Sequence, residues 1–267
     1  MIPIIKNEIW GRRLSLLAYC GIGLGLLLMY IALFPSLQAS SAQLEKVLQA
    51  YPKGMFDAFG IQDLTFSTID KFLAIELFTF TWPILAIVFT MSRAGNSLAG
   101  EIERRTMGIY LSLPISRLKI YFSKYIAQFI SVALFISFTI LIIIPLTWLF
   151  GQTSSIQHVL EVAALAMFFM SAILSAIFCL SALLSDRSRV YMIAGGLLLV
   201  MYVANVVAAL KPSWSWLHHE SIFYYFNTQE LLSKGQLKPE SFVIFFVASV
   251  VFVAIGALIF NKRDIAN

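Results

Sequence analysis

SRAGNSLAGEIERRTMGIYLSLPISRLKIYFSK, residues Ser92–Lys124, decides how the rest of the chain folds. It holds six of the 19 Lys and Arg residues and separates two long apolar runs. A segment this basic between membrane-like spans belongs on the cytoplasmic side. Its residues also carry a pattern. Ala94–Met107 fits a helix, with Glu101 three and four residues before Arg104 and Arg105, the spacing of intrahelical ion pairs. Gly108 loosens its end and Pro114 forces a break. Ser116 is placed to cap a new helix that carries Arg117, Lys119 and Lys124 into the next apolar run.

The island thus reads as helix, kinked connector, helix. Leu111, Leu113 and Ile115 are apolar on a polar side of the membrane. Charges of both signs, an apolar trio and a proline bend suit a surface that docks a partner. The plainer alternative is a solvated hairpin whose charges only enforce topology.

Outward from the island the chain is mostly hydrocarbon. Of 267 residues 60% are hydrophobic and 12% charged, with mean hydropathy +0.85, far from the balance of a soluble domain. Runs near twenty residues, enough to cross a ~30 Å core, place six transmembrane helices at Leu14–Phe34, Phe72–Met91, Tyr125–Phe150, His158–Leu184, Val190–Leu210 and Ser241–Phe260. The fold class is therefore all-α integral membrane, in a single transmembrane domain.

Residues 1–13, MIPIIKNEIWGRR, are amphipathic: Ile2, Ile5 and Ile9 share a helical face beside Trp10, with Lys6, Asn7, Arg12 and Arg13 opposite. This is either an interfacial helix or the positive flank of a first span. In that span Gly21 and Gly25 form a small-xxx-small pair for close packing, within the subunit or against a second copy. The loop Pro35–Lys71 contains a short amphipathic helix around Leu44, Val47, Leu48 and Tyr51, ended by Pro52. A second loop, Lys211–Glu240, is rich in aromatics.

Six spans put both termini on one side. Thirteen Lys and Arg lie on the side of the termini and the island, and six on the other, which makes the termini cytoplasmic. The net charge of +5 is thereby explained by topology, without nucleic acid.

No phosphate-cradling loop, metal spacing or catalytic triad is present. His218-His219-Glu220 lacks a third supporting cluster, so no metal is expected. Cys20 and Cys179 lie in apolar runs and read as packing residues. Glu76 and Glu161 stand four or five residues inside the outer ends of their spans. They either reach the headgroups, or contact substrate or another helix. Asn205 suits a cross-helix hydrogen bond. Pro83 and Pro145 are positioned to kink their helices.

The run Ala99-Gly100-Glu101-Ile102-Glu103-Arg104-Arg105-Thr106-Met107, then Leu111-Ser112-Leu113-Pro114-Ile115-Ser116-Arg117 and Lys124, resembles the signature of ABC-2 type transporter permeases. It departs at Arg105, where that family usually has Gly. Phe72–Leu77, Ser221–Tyr225 and the ending Phe260…Lys262-Arg263-Asp264-Ile265 extend the resemblance over most of the chain.

The resemblance implies a six-span, type V exporter-like permease fold in a bacterial plasma (inner) membrane. It implies pairing with a second or related permease and docking on a separate ABC ATPase that binds ATP and Mg, with no cofactor in this chain. Lys6–Arg13 would then be the interfacial helix, with Glu101, Glu103, Arg104, Arg105 and Arg117 in or beside a coupling helix. The loop between spans five and six would fold back into the outer leaflet, at a depth that suits Phe223, Tyr224, Tyr225 and Phe226. The function so implied is ATP-driven export of an amphiphilic or hydrophobic substrate such as a peptide, lipid or drug, with no covalent chemistry in this chain. The rivals are an ion-coupled carrier, which needs midplane charges that the spans lack; an intramembrane enzyme, which needs clustered acids or histidines; and a membrane scaffold or sensor.

Overall fold

A computed structural model describes residues 1–40 and 67–264, and the regular structure within them is helical. The helix expected around Leu44, Val47, Leu48 and Tyr51 lies outside the described residues. Six helices are long and apolar enough to cross a membrane: Arg13–Ala39, Ile69–Ser97, Arg117–Leu149, Ile156–Leu183, Arg187–Leu210 and Pro239–Lys262.

These spans overrun the apolar stretches that mark them, because backbone hydrogen bonding propagates until a cap or a break stops it. The second span continues to Ser97, so Ser92–Ser97 form its last turns and not a loop. The third begins at Arg117, where the Ser116 side chain accepts from the Lys119 N–H at 3.3 Å, the cap expected from sequence.

The fourth span is the centre: 67% of its most apolar window is buried, against 11% for the fifth. It packs along the sixth span and against the second and third; the first lies outside the second and third. Gly256 lies at a tight approach of the sixth span to the third and fourth. A Cβ there would lie 3.1 Å from the Cys179 Cα and against the Tyr121 hydroxyl. Gly256→Val is therefore expected to cost about 1–3 kcal/mol by overpacking, read as a lower unfolding temperature in detergent, whereas Val250→Ala on the exposed side of the same helix leaves it nearly unchanged.

Both proline positions leave marks. Pro145 has no N–H to give the preceding turn, and the third span breaks at Ile142 into Arg117–Leu141 and Ile143–Leu149. Upstream of Pro83 the second span widens into a π-helix over Ala74–Thr81, where the Thr79 and Thr81 hydroxyls donate to the carbonyls of Ala74 (3.0 Å) and Glu76 (3.1 Å).

The loop after the fifth span folds back on the bundle. A 3₁₀ segment, Pro212–Glu220, packs on the fifth span. Helices Ile222–Tyr225 and Thr228–Lys234 then turn inward. Phe226 stacks on Phe169 with centroids 4.2 Å apart and on Trp82 at 6.1 Å. Trp82 is thirteen residues into its span, so Phe226 meets it roughly 20 Å from the span's start.

In the first span the glycines divide unexpectedly. Gly23, between the pair singled out from sequence, packs within the chain, its Cβ position 2.7 Å from Thr139. Among the described residues nothing lies within 4 Å of the Cβ positions of Gly21 and Gly25, so none of them uses this pair.

Candidate functional site

The N-terminal helix Ile2–Gly11 lies on the third span. Its inward residues are Ile4 and Glu8, one turn apart. The isoleucine face is not the one packed on the third span: Ile2 is 79% exposed, and Ile5 and Ile9 are half-buried. A carboxylate wins the inward position because a cation waits there.

That cation is Lys124, in the second turn of the third span and fully buried. Its Nζ lies 3.2 Å from Glu8 Oε2 and 2.7 Å from Glu101 Oε1, and 4.2 Å from the centroid of the Tyr110 ring. Three donors thus meet two carboxylates and a π face. Gln128, the next turn along, donates Nε2 to Glu8 Oε1 at 2.9 Å and approaches Ser97 Oγ at 3.3 Å. One residue therefore joins the N-terminal helix, the island and the third span.

A second layer of cations backs this hub. Arg12 sits 3.5 Å from Glu8 and donates to the carbonyls of Asn96 (2.8 Å) and Arg93 (3.4 Å). Arg93, 1% exposed, donates to Ser131 Oγ at 2.6 Å and back to the Arg12 carbonyl at 3.3 Å. Asn96 donates to Tyr191 Oη at 2.6 Å and so reaches the fifth span. Burial pushes the Glu101 carboxyl above the ordinary carboxylate range, and the Lys124 ammonium pulls against that rise.

The Ala94–Met107 part of the island is not the one helix expected of it: its first residues end the second span. The island then forms Ala99–Glu103 and Met107–Leu111, separated at Arg104–Thr106. The break is at Arg105 and not Gly108, which is inside the second helix. Arg105 has φ +60°, the left-handed region that favours glycine. The residue expected from the resemblance at this position is therefore the one its backbone prefers. Arg105→Gly is expected to stabilise the chain by about 0.5–1 kcal/mol, measured as a higher unfolding temperature.

Of the residues singled out from sequence, Glu101 is buried and not exposed, and does not pair with Arg104 or Arg105; it lies on Lys124 because Leu98 and Arg105 turn the short helix inward. Glu103 is exposed and 3.5 Å from Arg187, at the start of the fifth span. Arg104 and Arg105 are exposed, as are Ile109 (67%) and Leu113 (42%). Arg117 donates to the Arg263 carbonyl, and Arg263 in turn closes the end of the fourth span through the carbonyls of Ala182 (2.8 Å) and Leu184 (3.0 Å).

On the N-terminal helix Lys6 and Trp10 point outward, and Arg13, just beyond it, lies over the Trp10 ring at 5.3 Å. Arg12 points inward instead, into the hub. Glu76 is exposed on the π segment, Glu161 accepts from Gln157 at 2.9 Å on its own helix, and Asn205 meets His218 at 2.9 Å. None of these three is among the partners of Lys124. His219 approaches Tyr225 Oη at 3.3 Å, and no cluster of metal ligands occurs among the described residues.

Sequence reasoning missed Glu8, Arg93, Gln128 and Ser131. A signal was present: Lys124, Gln128 and Ser131 recur at i, i+4 and i+7 on an otherwise apolar helix, and Ile4, Glu8 and Arg12 at i, i+4 and i+8 on the N-terminal one.

A helical bundle of six candidate spans, with a jointed charged region between the second and third and an N-terminal helix packed beside it, defines a polytopic membrane transport component. Over residues 2–265 the chain matches the family described as ABC-2 family transporter protein, and it belongs to that family. No curated protein matches it. Membership makes the chain a multi-pass permease subunit of an ABC transporter, a class that carries the pathway and works with an ATPase partner.

Proposed function

We propose that this permease receives the stroke of a separate ABC ATPase on the island and passes it to the spans through Lys124, exporting an amphiphilic or hydrophobic substrate. The observation that carries this reading is the division of the island into two faces. Glu101 and Tyr110 grip Lys124 inside, while Glu103, Arg104, Arg105, Ile109 and Leu113 remain outside. Such a surface suits a docking partner, and a buried ion pair suits transmission, because breaking one costs about 3–5 kcal/mol.

In this reading the island and both termini face the cytoplasm of a bacterial plasma membrane, and the N-terminal helix lies in the interface with Lys6, Trp10 and Arg13 outward. A second copy packs on the face that Gly21 and Gly25 leave open, the partner ATPase binds ATP and Mg, and Glu76 stands in reach of headgroups or substrate. The test is transport in vesicles. Reconstituted with an ABC-class ATPase that co-purifies with it, the chain is expected to drive ATP-dependent movement of a fluorescent amphiphile. ATP-independent movement, or failure to hold any such ATPase, overturns the proposal in favour of a carrier or a scaffold.

A further inference from the structure

A groove of about 510 Å³ opens on the side of the bundle between the third, fourth and sixth spans. Phe122, Tyr125 and Phe129 form one wall, Met167, Phe168 and Ser171 the floor, and Phe246, Ser249, Val250, Val253 and Ala254 the other wall. The volume falls in the ~300–1,000 Å³ range of small-ligand sites. It is independent of the charge hub and of the ATPase docking surface.

The groove's chemistry restricts what it takes. Its hydroxyls are already partnered. Ser171 Oγ lies 3.0 Å from Ser249 Oγ, and each lies 2.7 Å from a carbonyl of its own helix, so their two protons are taken up within these three contacts. Tyr125 Oη bonds Ser175 Oγ at 2.8 Å. The hydroxyls that would recognise a polar ligand are thus engaged. The occupant is hydrocarbon.

From Phe246 to Ala254 the groove runs about 12 Å along the sixth span. Part of an acyl chain can lie along that length. One turn from Phe122, toward the basic end of the third span, Lys119 is exposed and has no acidic partner among the described residues. A lysine so placed can lay its stem on the apolar surface and hold its ammonium at headgroup level.

We propose that this groove holds one acyl chain of an anionic membrane phospholipid, with Lys119 against its phosphate. The full-length chain, purified in detergent and delipidated, is titrated with phosphatidylglycerol and with phosphatidylcholine of the same acyl chains, and bound lipid is counted by native mass spectrometry. Wild type is expected to retain one phosphatidylglycerol at tenfold lower concentration than phosphatidylcholine. Val250→Phe with Ala254→Phe, both exposed positions that fill the groove without entering the core, is expected to weaken that lipid at least tenfold. Lys119→Glu removes the preference for phosphatidylglycerol and leaves the fold intact. Equal retention by the groove-filled variant and wild type overturns the proposal. So does a disulfide between two copies through Phe246→Cys in vesicles, which would make the groove an interface with a second copy.

Discussion

Lys124→Met is expected to destabilise the permease by about 3–5 kcal/mol, the range for removing one partner of a buried ion pair. The reason is the company that the ammonium leaves behind. Glu8 and Glu101 would face each other in a closed site with no cation between them, and Tyr110 would lose its cation. Glu101, already pushed upward by burial, would then take up a proton, which holds the loss near the lower end of that range. The measurement is the temperature at which half of the detergent-solubilised protein loses its monodisperse form. Adding Glu8→Gln and Glu101→Gln to Lys124→Met is expected to restore most of the loss, since neutral groups in the same space no longer repel. A triple variant as unstable as the single one would mean that Lys124 acts by packing and not by charge.

The largest effect on activity is expected at the other face of the island. Ile109→Glu with Leu113→Glu places two charges on side chains that are 67% and 42% exposed and outside the core. Surface changes of this kind shift stability by about 0.5 kcal/mol or less. If these residues are the apolar centre of a docking surface, the same changes remove its anchors and leave carboxylates to be buried unpaired, and co-purification of the ATPase is expected to fall at least tenfold. Glu103→Ala is expected to do much less, because its pair with Arg187 is half exposed and worth about 0.2–1 kcal/mol. Glu101→Arg would not test docking at all: it forces a second cation onto Lys124 and is expected to unfold the region.

Much of this fold was legible because bilayer physics writes it in long strokes. Apolar runs of span length locate six helices to within a few turns, and the Ser116 cap and the Pro145 break follow from side-chain chemistry at single positions. The candidate site was legible only in part. Charge and proline placed the island, but they did not reveal which of its acids turn inward. Glu101 and Glu103 are two residues apart and read alike; the left-handed Arg105 and the bend at Leu98 send one to Lys124 and the other to the surface. Nor could a residue-by-residue reading pair Glu8 with Lys124 across 116 positions, since that contact exists only once the N-terminal helix lies along the third span.

In the proposed mechanism Lys124 carries the stroke from the island to the spans. The most direct measurement is transport and ATP hydrolysis counted together in vesicles, with the stable Lys124→Met, Glu8→Gln, Glu101→Gln variant against wild type. The ATPase is expected to stay docked and hydrolyse ATP while substrate moved per ATP falls at least tenfold. An unchanged ratio would show that the stroke travels by another route and that the hub only holds the fold together.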